Sequence, residues 1–172
     1  MIDQCRTVSC AKEELFKAIR DKDLTAVKKG LSRSGEWKGG IDAKDEETGM
    51  TILAAAVESG DIDVVSAVLD AGARVNARDG NGKTALMYAR DVRIAEILID
   101  GDANVHSQDA YACTPLMHVR DADMARLLLE RGANVHAREG YEMTPLMFAS
   151  NADIAKLLLE NGADVDAREA NY

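Results

Sequence analysis

Aromatic side chains are scarce in this chain. Phe, Trp and Tyr together make up 4% of its 172 residues, and proline occurs twice. Sandwiches and barrels draw heavily on aromatic residues, so an apolar content poor in them and dominated by Ala, Leu, Val and Ile predicts an all-α fold packed by aliphatic side chains. Long hydrophobic runs are also lacking. "TILAAAV" and "LLL" fall far short of the roughly 20 residues a membrane span needs, and the amino terminus has no charged region followed by an apolar stretch. No membrane is expected as a partner, although a removed signal peptide would leave no trace. Positive charge is the third deficit. Lys and Arg number 21 against 30 Asp and Glu, a formal net charge of −9, so phosphate backbones are repelled and nucleic acid is not expected as a partner.

What is present suffices for a core, since 47% of residues are hydrophobic. Cysteine occurs as Cys5, Cys10 and Cys113. Either Cys5 and Cys10 close a small disulfide loop in an oxidising compartment, or all three are free thiols in a reducing cytoplasm. The location is cytoplasmic by default, and periplasmic or secreted if a signal peptide was removed and Cys5–Cys10 is bridged.

The chain repeats itself. Threonines at Thr51, Thr84, Thr114 and Thr144 begin similar segments, spaced by 33, 30 and 30 residues, and a period of this size builds a solenoid. Each unit runs from an acidic residue through a turn and a short apolar helix to an Asp or Asn, a longer helix and Gly-Ala-x-Val. Thr114 and Thr144 are placed to cap the first helix, with Pro115 and Pro145 at its first position, where a missing N–H costs nothing. Asp61, Asp91, Asp121 and Asn151 are predicted N-caps of the second helix, with Asp63, Asp123 and Asp153 in its first turn. Gly72, Gly132 and Gly162 supply a left-handed stop; in the third repeat Gly101, one residue early, is expected to take that role beside Asp102.

"TPLMFA" and "GADVDA" resemble the ankyrin repeat, whose pattern has Thr-Pro-Leu-His-x-Ala in the first helix and Gly-Ala-Asp-Val-Asn-Ala entering the hairpin. The resemblance extends from about Ala11 to Arg168. It implies a solenoid of helix–turn–helix units joined by β-hairpin-like loops, with a segment 1–10 ahead of repeats at about 11–44, 45–78, 79–108, 109–138 and 139–168 in a single domain 11–172. "EELFKAIRDKDLTAVKKGL" is the first unit, its polar Lys12, Glu13, Lys17, Lys28 and Lys29 suiting an amino-terminal cap. The insertion "SRSGEWKGG" follows it and carries the only tryptophan, Trp37. Ala54, Met87, Met117 and Met147 stand where the family has histidine. The last three repeats lack the residues corresponding to Glu58, Ser59 and Gly60, which shortens the inner helix by about 4.5 Å and predicts a shallow concave face with a lip at Glu58.

Several groups invite a chemical reading. Cys113, His118 and Asp121 have the composition of a nucleophile, a base and an orienting acid, but their spacing puts them on a hairpin, in a helix and at a cap, with no Gly-rich turn to hold an oxyanion. His106 and His136 occupy equivalent places about 10 Å apart, too far to share a metal; hairpin hydrogen bonding, as Asn76 would make, is their expected role. "GKT" lacks the spacing of a phosphate loop. No catalytic residue, metal or cofactor is predicted.

Ankyrin repeats bind proteins through hairpin tips and the concave inner face, and the resemblance carries those positions to Glu47, Met50, Asn81, Lys83, Tyr111, Cys113, Tyr141 and Met143. Arg90 and Arg120, at one equivalent position, either hold an acidic group of a partner or pair with Asp91, Asp121 or Glu46. Trp37 is either a further contact or a lid on the first interface. The last repeat is nearly identical to an interior one, so its outer face is covered by a partner or a second copy, or tolerated as an exposed patch. The expected function is non-catalytic binding of another protein, sharpened to an inhibitor or self-protection protein that blocks an enzyme, of a type resembling bacterial ankyrin proteins; the alternative is a cytoplasmic adaptor. The chain is expected to be a monomer or a weak homodimer through the carboxyl-terminal repeat.

Overall fold

The computed structural model describes residues 8–36 and 39–169. Seven α-helices lie among them: α1 (Val8–Arg20), α2 (Leu24–Leu31), α3 (Ile52–Ser59), α4 (Ile62–Asp70), α5 (Val92–Asp100), α6 (Ala122–Glu130) and α7 (Ala152–Glu160). The outer helices α2, α4, α5, α6 and α7 stack in chain order, each touching the next, as a solenoid requires. Among the described residues no helix is long and apolar enough to cross a membrane. Helix α1 begins at Val8. Within the amino-terminal unit Lys12 does not face outward; it reaches Glu46 at 2.8 Å.

The same local chemistry starts every outer helix. Asp61, Asp91, Asp121 and Asn151 accept backbone N–H bonds from the first turns of α4, α5, α6 and α7, and Asp23 does so for α2. Each helix then buries one stripe, for example Ile94, Ala95 and Leu98 in α5 and Ile154, Leu157 and Leu158 in α7. Full burial of one such aliphatic side chain contributes about 1.5–3 kcal/mol, and the stripes merge into one core running the length of the stack.

Inner elements differ from expectation. The first two repeats have an inner α-helix, α1 and α3; the later repeats have single 3₁₀ turns at Ala85–Tyr88, Pro115–Met117 and Pro145–Phe148. The three missing residues therefore convert the helix rather than shorten it. Capping changes with it. In α3 the Ala55 N–H bonds the Thr51 carbonyl, leaving the Ala54 N–H for the Thr51 hydroxyl at 3.1 Å. In the 3₁₀ turns the equivalent N–H groups of Met87, Met117 and Met147 bond the carbonyls of Thr84, Thr114 and Thr144, each at 3.0 Å. No donor remains for the threonine hydroxyls, and Thr84, Thr114 and Thr144 do not act as side-chain caps; their buried oxygens have no partner among the described residues. Pro115 and Pro145 do open their turns.

The third outer helix also ends differently. Gly101 has an ordinary φ of −88°, and Asp102 itself takes the left-handed conformation at +67°. The closing bond from the Ala103 N–H to the Leu98 carbonyl is kept in register with its equivalents after α4, α6 and α7. That register dictates which residue must be left-handed, and Asp tolerates it better than most non-glycine residues.

The insertion forms two short 3₁₀ turns, Ser34–Glu36 and Gly40–Asp42, the second held by Asp42, which accepts the Arg74 N–H at 2.9 Å. Trp37 lies outside the described residues, as does Cys5. Cys10 is disulfide-bonded, and Cys113 is a free thiol.

Candidate functional site

Each later hairpin is organised by one buried carboxylate. Asp79 accepts the N–H groups of Asn81 and Lys83, Asp109 those of Tyr111 and Cys113, and Glu139 those of Tyr141 and Met143. Neighbouring hairpins are laced together by single backbone bonds of 2.9 Å, from Gly80 to Gly49, Ala110 to Asn81 and Gly140 to Tyr111. Between the bonded donors sits a left-handed residue, Gly82, Ala112 or Glu142, with φ of +75°, +63° and +65°. This reversal breaks the alternation of an extended strand. The residue before it, Asn81, Tyr111 or Tyr141, points to solvent, whereas the residue after it turns inward.

Cys113 is such an inward residue, 8% exposed, and is withdrawn from the contact surface predicted for it. Lys83, Met143 and, in the second repeat, Met50 are half-buried; Glu47 and Asn81 are exposed at the tips. Tyr111 is 66% and Tyr141 58% exposed.

The second oxygen of the hairpin carboxylate reaches the 3₁₀ turn. Asp79 Oδ2 accepts the Tyr88 hydroxyl at 2.5 Å, and Asp109 Oδ2 lies 2.9 Å from His118 Nε2. Contrary to the expectation from their spacing, Cys113 and His118 are brought together: the Cys113 sulfur, a His118 nitrogen and an Asp109 oxygen lie within 4.8 Å of one another. The acid is Asp109, not Asp121, which caps α6. Both carboxylates sit nine residues before a side chain able to donate, a signal present in the sequence at 79/88 and 109/118.

Electrostatics in this cluster favour neutral forms. Burial, helped by the charges of Asp109 and Glu139, pushes the Cys113 thiol up to about 11, so it is not a thiolate at neutral pH. Burial lowers His118 below the ordinary imidazole value, with Lys83 and Arg120 acting in the same direction against the hydrogen bond to Asp109. The three groups have the donor types of a metal site, but Asp109 Oδ1 already serves two backbone donors, and the preceding repeat makes the same tie through Tyr88. The cluster fastens hairpin to turn.

His106 and His136 differ from Asn76. The Asn76 amide bridges to the next repeat, donating to the Asp102 carbonyl at 2.9 Å and accepting the Asn104 N–H at 2.8 Å. The two imidazoles are exposed, and among the described residues only their backbone N–H groups are bonded, to Asn104 and Asn134. An amide offers donor and acceptor side by side; a ring carries its two nitrogens pointing apart.

Between the third and fourth repeats the hairpin and the 3₁₀ turns border a groove of about 230 Å³ lined by Lys83, Met87, Tyr88, Arg90, His118, Arg120 and Met124, among others. Arg90 and Arg120 come to its rim because they stand where α3 has the buried Val57, and the following residues are missing. Neither forms an ion pair among the described residues; Asp91 pairs instead with Arg93 at 2.7 Å.

A family model described as ankyrin repeats (3 copies) matches residues 15–109 and 90–169. The chain belongs to the ankyrin-repeat family. Similar segments occur in M-phase phosphoprotein 8 of Rattus norvegicus and of Mus musculus, each 37% identical over 75 residues, and of Homo sapiens, 35% identical over 75 residues. The match covers 44% of this chain and 8% of each relative, so the likeness concerns one short segment of those proteins. All three are mammalian and lend nothing to the expected resemblance to bacterial ankyrin proteins. An ankyrin-repeat chain is a protein–protein interaction module, and the family is generally non-catalytic.

Proposed function

We propose that this chain acts without catalysis, as an inhibitor or self-protection protein that blocks a partner enzyme by covering part of its surface. The observation that carries the reading is the exposure of Tyr111 and Tyr141 at equivalent hairpin tips, 66% and 58%, in a chain with so few aromatic residues. Tyrosine supplies large amphipathic contact area at low entropy cost and is enriched among residues that dominate interfaces. Glu47 and Asn81 continue the same edge, with Met50, Lys83 and Met143 behind it. With the Cys113 thiol held protonated, this edge offers contact rather than a nucleophile.

The test is affinity capture with the full chain, followed by an activity assay of whatever enzyme is retained. Tyr111→Ala combined with Tyr141→Ala should release the partner while circular dichroism stays unchanged. A captured enzyme that remains fully active would sink the inhibitor reading.

A second reading, an adaptor joining two proteins, is favoured by apolar exposure in the last repeat, where Met147, Leu159 and Val165 are 41%, 45% and 72% exposed. Retention of two different proteins, one lost with the tyrosine substitutions and one not, would support it. Sedimentation velocity of the isolated chain reads whether a second copy occupies that face instead.

A further inference from the structure

We propose that the groove between the third and fourth repeats receives an acidic side chain, glutamate or aspartate, presented by an extended segment of the partner protein. This rests on the protein-binding reading above and specifies its chemistry. In a chain of net charge −9 the groove lining gathers three cations, Lys83, Arg90 and Arg120, with Asp121 beside them; Asp79 and Asp109 lie behind the lining Tyr88 and His118, buried and spent on the hairpin bonds. Asp121 is already engaged, its Oδ1 accepting the Asp123 N–H at 2.7 Å as the cap of α6. Several cations elsewhere are compensated, Arg74 by Asp42, Arg93 by Asp91, Arg131 by Asp100 and Arg138 by Glu142; others, such as Lys44 and Arg126, stand alone among the described residues, but not gathered in one cleft. None of the three groove cations forms an ion pair among the described residues; Lys83 lies over the Tyr88 ring, 5.5 Å from its centre. Like charges gathered in one cleft repel one another, and a carboxylate relieves that repulsion while accepting charge-assisted bonds from the guanidinium forks.

The size of the groove selects the class of ligand. Its volume of about 230 Å³ is below the roughly 300–1,000 Å³ of pockets that enclose a drug-sized molecule. It suits one side chain of a larger partner. Met87 and Met124, both buried, form an apolar floor against which the aliphatic stem of a glutamate can lie. The site exists because the inner helix is reduced to a 3₁₀ turn: in the second repeat the equivalent of Arg90 and Arg120 is Val57, buried within α3.

The experiment uses the full chain and a fluorescein-labelled octaglutamate peptide, followed by fluorescence anisotropy, with an octaglutamine peptide and a phosphoserine peptide of equal length as comparisons. Octaglutamate should bind, octaglutamine should not, and raising salt from 50 to 300 mM should weaken binding. Arg90→Gln with Arg120→Gln should weaken it at least fivefold with an unchanged melting curve, whereas Arg93→Gln, outside the groove, should change it less than twofold. No binding of octaglutamate at 1 mM protein, equal loss from Arg93→Gln, or tenfold tighter binding of the phosphoserine peptide would overturn the proposal. A partner captured through Tyr111 and Tyr141 but indifferent to Arg90→Gln with Arg120→Gln would overturn it too, leaving the protein-binding reading intact.

Discussion

Asp109 and His118 are bonded at 2.9 Å, across the same nine-residue separation that joins Asp79 to Tyr88. One structural tie is thus made by a group that titrates near neutrality and by one that does not. His118 is held below its ordinary value, chiefly by burial, whereas in the unfolded chain it titrates at about 6.5. Below that pH the unfolded chain takes up a proton that the folded chain resists, so stability contributed by neutral His118 is present above about 6.5 and is lost as pH falls. His118→Tyr keeps a donor for Asp109 and removes the titration. Melting temperatures at pH 8 and pH 5.5 should differ less for this variant than for the parent; an equal or larger difference would show that His118 does not contribute to the acid sensitivity.

Cys113 should be chemically silent in the folded protein. With its thiol pushed up to about 11 by burial and by the neighbouring carboxylates, little thiolate exists at pH 8.5. Against an unfolded thiol of ordinary acidity, alkylation by iodoacetamide should be about 100-fold slower. Mass mapping of the peptide containing Cys113, with and without denaturant, measures the ratio. Equal rates would return the Cys113–His118 pair to consideration as a reactive dyad.

Asp102 carries a conformation that glycine carries in three other repeats. Its φ of +67° matches the role of Gly72, Gly132 and Gly162, at +90°, +86° and +87°. Asp102→Gly should therefore stabilise the protein by about 0.5–1 kcal/mol, raising the melting temperature by a few degrees. The reverse change, Gly132→Asp, should lower it by a similar amount. A destabilised Asp102→Gly variant would mean that the aspartate side chain contributes a contact outweighing the backbone strain.

Much of the fold was legible because its signals are local and repeated. The outer-helix caps Asp61, Asp91, Asp121 and Asn151 and the left-handed Gly72, Gly132 and Gly162 stand where sequence spacing puts them. What was not legible depends on choices between near-equal geometries. Counting residues showed that three were missing after the inner helix, but not that the remainder would close i→i+3 bonds instead of i→i+4. Likewise Cys113 looks like a tip residue two places from Tyr111 until the positive φ of Ala112 turns it inward. The exposed tyrosines were readable by repeat alignment; the Asp109–His118 tie needed the hairpin and turn to be placed together.

The threonine that begins the inner element of the second to fifth repeats provides a comparison within one chain. Thr51 holds the Ala54 N–H through its hydroxyl, so Thr51→Val removes a working cap and should cost about 1 kcal/mol. Thr114 has the same extended backbone, with φ −91° and ψ 164°, but its hydroxyl is buried without a partner because the 3₁₀ turn directs the Met117 N–H to the carbonyl instead. An unpartnered buried hydroxyl is a desolvation cost with no return, and valine suits extended backbone. Thr114→Val should therefore be neutral or stabilising by up to about 1 kcal/mol, and Thr84→Val and Thr144→Val should behave alike. Urea midpoints of the four single variants decide the matter. If Thr114→Val loses as much as Thr51→Val, the hydroxyl is capping a turn of α-helix, and the inner face of the later repeats is built as in the second.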